Sequence, residues 1–318
     1  MNKNYFHLII VILLSLGNIS NSFGDVQSSN EDNLQFIVIG DWGTPRSNGQ
    51  KLVAAQLDKL AAATSIDFII STGDNFYMKG VKSVEDPLWK NAFEEIYSLP
   101  ALKNIPWYVS LGNHDYMGDF RAQIEYGESH ANWILPQNYY SKDFNIGTQA
   151  SVRFLFLDTV PFFKEYRVRP NVYHHIEAQD SAEQLRWMNT ALKESDATWK
   201  IAVGHHPVYS AGPHGDSEEL KKVLPQMFEQ QKVHAYFAGH DHHLEHYRSM
   251  EATHYFISGA GSRPRKISKR RHSEFAVKSL GFAHVILDKM CMQVRFINEE
   301  GTELYRSNTS SIIGNQCD

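Results

Sequence analysis

The chain has 318 residues, of which 42% are hydrophobic, 21% charged and 12% aromatic, a balance that supplies a large core and excludes a disordered, collagenous or small disulfide-stapled protein. A net charge of -5 argues against a general nucleic-acid binder. With 16 histidines and only 2 cysteines, any metal site must use nitrogen and oxygen donors, which excludes zinc fingers and iron-sulfur clusters.

The N-terminus combines a cationic start at Lys3, an apolar run from Leu8 to Leu16, and a polar stretch with small residues near Ser22 and Gly24. This is the layout of a cleaved secretory signal covering residues 1–24. The apolar run is short of the roughly 18 residues a spanning helix needs, so no membrane span is expected after cleavage. Residues 25–318 contain no repeat, low-complexity linker or hinge and read as one domain.

Apolar runs of strand length then recur at 34–39, 66–71, 107–111, 152–157, 199–203, 233–238, 255–258, 282–287 and 292–297. Several are nearly continuous, as expected for strands buried on both faces. Between them, residues 50–63 place Leu52, Val53, Leu57 and Leu60 on one helical face. Ser181 with Gln184 has the form of a capping box opening a helix through Leu192. Helices alternating with strands early, then strands alone from Val233 onward, predict an α/β core with a β-rich second half.

Five of the runs lead into a glycine followed by Asp, Asn or His. They are Gly40-Asp41-Trp42-Gly43, Gly73-Asp74-Asn75-Phe76-Tyr77, Gly112-Asn113-His114-Asp115, Gly204-His205-His206-Pro207 and Gly239-His240-Asp241-His242-His243. In an open α/β sheet the carboxyl ends of strands line the ligand crevice, and glycine lets the backbone approach a bound ion. One Gly-Asp is ordinary turn chemistry, whereas five in register after buried strands predict a single convergent site on a rigid scaffold.

These motifs, in this order, resemble the calcineurin-like metallophosphoesterases, and among them the purple acid phosphatases of the small, tartrate-resistant type, over roughly residues 36–305. The resemblance implies an α/β fold, a single-domain sandwich of two mixed β-sheets flanked by helices. Most of the wider superfamily opens with Asp-x-His; here Asp41 is followed by Trp42 and Gly43, and Tyr77 is expected to fill the vacancy. The resemblance implies Asp41, Tyr77 and His242 on iron(III), Asn113, His205 and His240 on a divalent ion (iron, zinc or manganese), and Asp74 bridging both. A phenolate is a hard anionic donor suited to iron(III), while imidazole suits divalent ions. Five positive charges against three anionic ligands leave a net cation that attracts phosphate. Such an ion pair implies a hydroxide nucleophile below neutral pH and an in-line displacement.

His114, directly after Asn113, and His214, in the Gly212-Pro213-His214-Gly215 turn, are the expected substrate residues. Each would bind phosphate oxygens and give a proton to the leaving alkoxide. His206 and His243 are expected not to be ligands, because consecutive side chains rarely point the same way. Asp115 and Asp241 are candidates to support ligands. His174, His175, His246, His254, His272 and His284 fit no motif and read as surface or structural.

The expected function is a secreted acid phosphatase, in an extracellular, periplasmic or lysosome-like lumen, acting on phosphorylated small molecules or phosphoproteins. The alternatives are a phosphodiesterase or nucleotide hydrolase of the same superfamily, and a phosphatase-like scaffold without turnover. Residues 162–180, with Arg167, Arg169 and His174-His175, lie where small family members carry a loop over the active site, and are a candidate regulatory segment. The basic run 263–271 is either a solvated loop or a steering surface for phosphorylated substrates. Cys291 and Cys317 either stay free thiols or pair in an oxidising compartment. Pairing would clip the tail to the last strand for roughly 3 to 4 kcal/mol. Asn308-Thr309-Ser310 has the form of a glycosylation acceptor.

Overall fold

A computed structural model describes residues 27–28, 32–248, 252–268, 273–312 and 317. The expected signal segment, His272 and residues 269–271 of the basic run lie outside the described residues. In chain order the strands are β1 (Gln27–Ser28), β2 (Asn33–Ile39), β3 (Phe68–Ser71), β4 (Trp107–Val109), β5 (Trp133–Ile134), β6 (Tyr140–Ile146), β7 (Ala150–Phe156) and β8 (Trp199–Val203). There follow β9 (Ala235–Ala238), β10 (Leu244–Arg248), β11 (His254–Ser258), β12 (Ser273–Val277), β13 (Gly281–Asp288), β14 (Cys291–Asn298) and β15 (Glu303–Ser310).

The strands form two mixed sheets flanked by helices. One has eight strands in the order β1-β6-β7-β8-β9-β11-β10-β12, the other seven in the order β15-β14-β13-β2-β3-β4-β5. Within them β7-β8-β9 and β2-β3-β4 are parallel blocks, and those blocks carry the near-continuous apolar runs. Their faces meet through aromatic rings: Phe36 on β2 lies 5.3 Å from Phe154 on β7, and Phe68 on β3 stacks 4.6 Å from Phe144 on β6. All four rings are buried, each contributing roughly 1.5 to 3 kcal/mol of apolar transfer. Among the described residues no helix follows Gln231, so the second half is the β-rich part, and no helix is long and apolar enough to cross a membrane.

Two helix details differ from the sequence pattern. In helix Asn48–Ala63 the inward stripe is Gln50, Val53, Ala54 and Leu57, while Leu52 is 52% exposed. Gln50 takes an inward place because its Nε2 donates to the Ala92 carbonyl at 2.7 Å. Helix Ser181–Lys193 is capped one residue earlier than the Ser181 box suggests, by Asp180, which accepts from the N–H groups of Ala182 and Glu183. Gln184 is freed for a tertiary task, its amide exchanging two hydrogen bonds with the Asp158 backbone at 2.8 and 2.9 Å.

Among the strands of five or more residues, β6, β10, β12 and β15 lack the apolar runs that mark the others. They are held by pairing along more polar sequences, as in Glu303–Ser310 against Cys291–Ile297. The cysteines form a disulfide across 26 positions, but Cys291 opens β14, so the closed loop contains the further strand β15 rather than a free tail. Asn308 projects from β15 as an exposed residue.

Candidate metal centre

The parallel blocks aim five strand ends at one place. The His240 N–H, after β9 of one sheet, donates to Asp41 Oδ2, after β2 of the other, at 2.8 Å. The backbone there is tight. Asp41, Asp74 and His240 all adopt left-handed φ values of 58°, 53° and 66°, a conformation costing non-glycine residues of order 1 to 3 kcal/mol each and concentrated at functional sites. Gly112 is required by proximity, since a Cβ there would lie 2.2 Å from Asp74 Oδ1.

Asp74 divides the site between its two oxygens. Its Oδ2 accepts from the Tyr77 hydroxyl at 2.8 Å, and that hydroxyl also lies 2.7 Å from Asp41 Oδ1 and 3.0 Å from His242 Nε2. Its Oδ1 lies 3.4 Å from His205 Nε2, which in turn is 3.2 Å from both Asn113 Oδ1 and His240 Nδ1. Each donor set therefore holds four atoms, with Asp74 common to both.

The outward nitrogens fix the tautomers. His205 Nδ1–H donates to the Thr72 carbonyl at 3.0 Å and His242 Nδ1–H to the Arg263 carbonyl at 2.9 Å, leaving both Nε2 lone pairs turned inward. Burial first, then neighbouring histidines, hold His240 well below its ordinary pKa, so it stays the neutral imidazole that a metal takes. Burial, then the charges of Asp41 and Asp74, push the Tyr77 phenol well above its ordinary value. Burial works to raise Asp41, but His242, His205 and the Tyr77 hydrogen bond bring it below the usual carboxylate range.

One phenol proton cannot satisfy two carboxylates and an imidazole at once, and a hard cation among these four atoms would relieve the crowding and reverse the pressure on the phenol. The donor chemistry fits a binuclear centre of one hard, highly charged ion and one divalent ion.

A cleft of about 500 Å³ opens over the site, lined by His114, His214, Tyr166, Tyr173, Arg169 and Arg265 among others. His114 is anchored at both backbone and ring. Its N–H donates to Asp74 Oδ1 at 2.9 Å, its Nδ1 to the Met78 carbonyl at 2.6 Å, and its Nε2 lies 3.9 Å from Asp74 Oδ2. His214 Nδ1 donates to Asp241 Oδ1 at 2.7 Å, and its ring lies 4.2 Å from that of His240. That hydrogen bond, opposed by burial and aided by the Asp241 charge, raises the His214 pKa.

His206 lies beside this cluster, but its nitrogens are taken by the Thr159 hydroxyl at 2.8 Å and the Tyr166 hydroxyl at 3.1 Å. His243 turns away to Glu245 at 2.7 Å. Asp115 accepts from the N–H groups of Gly112, Asn75 and Phe76 and from Gln123, tying together the loops after β3 and β4. Burial and the Asp74 charge push it up to about 6 against those donors. His246, His254 and His284 are buried and structural, while His174 is exposed.

A sixth strand end escaped the glycine pattern. Asp158-Thr159 follows β7, and Thr159 both accepts from the His206 N–H and holds its ring. The legible signal was an Asp directly after an apolar run. Segment 162–180 forms one wall of the cleft and is tied down by Tyr166 to His206 and by the His174 N–H to the Tyr116 carbonyl at 2.7 Å, while Arg167 donates to the Gln179 carbonyl and braces the segment internally. Of the basic run, Arg265 lines the cleft and its N–H donates to the His242 carbonyl at 2.7 Å.

Residues 34–244 match the family model of the calcineurin-like phosphoesterases. The chain is 35% identical over 316 residues to purple acid phosphatase 3 of Arabidopsis thaliana, covering 95% of this chain and 84% of that one. It is 33% identical over 297 residues to tartrate-resistant acid phosphatase type 5 of Sus scrofa, covering 86% of each. Among solved structures it is similar to GAP50, described as the anchor in the inner membrane complex of Plasmodium, with a TM-score of 0.78, 26% identity, and coverage of 87% of this chain and 89% of that one. The fold is shared by purple acid phosphatase PPD1 from yellow lupin seeds, with a TM-score of 0.67, 16% identity, and coverage of 89% of this chain and 54% of that one. With the domain match spanning most of the chain and relatives aligned almost end to end, the chain belongs to the calcineurin-like phosphoesterases and, within them, to the purple acid phosphatases.

Proposed function

We propose that this protein is a secreted acid phosphatase that hydrolyses phosphate monoesters of small molecules or phosphoproteins at a binuclear centre. Asp41, Tyr77 and His242 would hold iron(III), Asn113, His205 and His240 a divalent ion (iron, zinc or manganese), and Asp74 would serve both. The observation that carries this reading is the division of Asp74, one oxygen in the phenol set and the other in the imidazole set. When bound, the two cations supply positive charge for the phosphate and an activated water as nucleophile at acid pH.

The protein's own groups do the rest. His114 and His214 line the cleft and would donate to phosphate oxygens, and the proton affinity that the Asp241 hydrogen bond gives His214 supports its reading as the donor to the leaving alkoxide. Secretion is supported by the N-terminal layout and the disulfide.

Metal analysis of purified protein, a visible spectrum, and parallel assays on p-nitrophenyl phosphate and bis(p-nitrophenyl) phosphate test the reading. Iron with a second metal, a visible band and faster turnover of the monoester are expected. A colourless, active zinc or manganese protein would remove the iron assignment, and preference for the diester would favour a phosphodiesterase. The likeness to a Plasmodium anchor favours a non-catalytic role as the second reading. Metal-free, inactive protein from a metal-replete preparation would support it, although all seven candidate ligand positions hold donor side chains.

A further inference from the structure

Glu245, on β10, is fully buried and hydrogen-bonded on both oxygens, yet it belongs to neither donor set and touches no candidate substrate residue. Its Oε2 accepts from the Ala211 N–H and from His243 Nε2, both at 2.7 Å, and its Oε1 from the Ser273 hydroxyl at 2.5 Å. Ala211 begins the turn that carries His214, and His243 ends the loop that carries His240, Asp241 and His242. One carboxylate therefore grips two cleft loops and the edge strand β12.

The grip on the turn is double. While the Ala211 N–H is held by Glu245, the Ala211 carbonyl accepts from the Ser268 N–H at 2.8 Å, so the peptide groups flanking Ala211 are fixed from opposite sides. From there the turn closes through Gly215 N–H to the Gly212 carbonyl, and His214 meets Asp241. Asp241 is held from the other side, as the His243 N–H donates to the Asp241 carbonyl at 2.8 Å. Glu245 thus fixes both partners of the His214–Asp241 contact from behind. A catalytic donor misplaced by an ångström loses much of its effect, which makes such a support consequential.

We propose that Glu245 is a positioning residue for phosphate ester hydrolysis, acting through the Ala211 N–H and the His243 ring to hold His214 against Asp241 at the leaving-group side of the cleft. The inference rests on the substrate role assigned to His214. It makes a chemical distinction between variants. Glutamine can present one amide oxygen to both Ala211 and His243 while the Ser273 hydroxyl turns to accept from its NH2, whereas leucine leaves both donors unpartnered.

The test is a mutant cycle on the metal-loaded protein, with Glu245→Gln, Glu245→Leu, His214→Ala and the double variant Glu245→Leu/His214→Ala. Near-UV circular dichroism and metal content are followed beside turnover of an alkyl and an aryl phosphate. Glu245→Leu is expected to lower kcat at least about tenfold, more on the alkyl ester, with metal content retained, and Glu245→Gln to stay within about threefold of wild type. The double variant should be slower than His214→Ala by no more than about twofold, because the two changes remove one function. If Glu245→Leu fails to fold, Glu245→Asp, which keeps the charge but withdraws the acceptor, enters the same cycle with the same non-additivity expected. Wild-type kcat in a folded Glu245→Leu, loss of the metals, or additive losses in the double variant would overturn the inference alone. Unchanged turnover by His214→Ala would overturn it together with the role given to His214.

Discussion

The Tyr77 N–H donates to the Gly43 carbonyl at 2.8 Å, and a Cβ on Gly43 would lie 1.6 Å from the Asn75 carbonyl oxygen. The position where most of the superfamily carries a histidine is therefore closed to any side chain by the very loop that delivers Tyr77. The absent imidazole and the present phenol are one structural exchange. Gly43→His is expected to destabilise the protein by at least about 3 kcal/mol through the backbone overlap, and not to restore a Tyr77→Phe variant. Tyr77→Phe itself should fold, since it loses only a hydroxyl, but should lose the visible band and most of its iron. Tyr77→Phe protein with an unchanged spectrum would show that the phenol is not the chromophore ligand.

The buried Asp241, between His240 and His242 in sequence, holds His214 from below. Asp241→Asn can still accept from Nδ1–H but lacks the charge that favours the imidazolium. It is expected to lower kcat about 10-fold to 100-fold on alkyl phosphates, less on aryl phosphates, whose leaving groups need no proton. Parallel kcat values for the two ester classes check this; equal losses on both would mean that Asp241 acts elsewhere.

Acid should weaken the fold through buried histidines remote from the cleft. Burial, then Arg248, pushes His254 down to about 4, and burial, then Arg295, pushes His284 down to about 4. Their folded pKa lies below the unfolded value, so the unfolded chain binds more protons between pH 6.5 and 4, and stability falls as pH drops through that window. Each contributes a loss of roughly 2 to 3 kcal/mol by pH 4.5. Denaturant midpoints at pH 7.5 and 4.5 should show a smaller acid loss in His284→Gln than in wild type, and an unchanged difference would acquit this residue.

Segment 162–180 is held at Tyr166 and His174, while Arg167 is exposed and bonds within the segment to Gln179. Its fastening to His206 indicates a fixed wall, so trypsin cleavage after the exposed Arg167, which precedes Val168, is expected to leave or lower kcat, whereas Arg169 precedes Pro170 and is not a trypsin site. A several-fold rise after a single nick, mapped by mass spectrometry, would identify it as a repressive loop instead.

The disulfide restrains a loop that contains β15, whose sequence is too polar to anchor by burial alone. Cys317→Ser should lower stability by roughly 3 kcal/mol in thermal or denaturant unfolding while leaving kcat unchanged, since the tail is remote from the cleft lining.

How much was legible depended on whether a residue's role is local. The apolar runs and the glycines after them identified β2, β3, β4, β8 and β9 and the loops that meet at the cleft, because strand ends in parallel blocks must converge whatever the rest of the chain does, while the seven candidate ligands within those loops were read through likeness to a family. Sequence pattern also yielded His114 and His214, though only through likeness to a family. What it did not contain was any sign that Gln50 and Gln184 would turn inward, that Leu52 would face water, or that Glu245 would stand behind the cleft. Those polar assignments are made chiefly by partners tens of positions away. A buried polar side chain is tolerated only where tertiary structure brings its hydrogen-bond partner, and that condition is invisible to periodicity. The sequence by itself determined which donor side chains follow the buried strands. Only the folded backbone, strained at Asp41, Asp74 and His240, decided that one oxygen of Asp74 would face the phenol and the other the imidazoles.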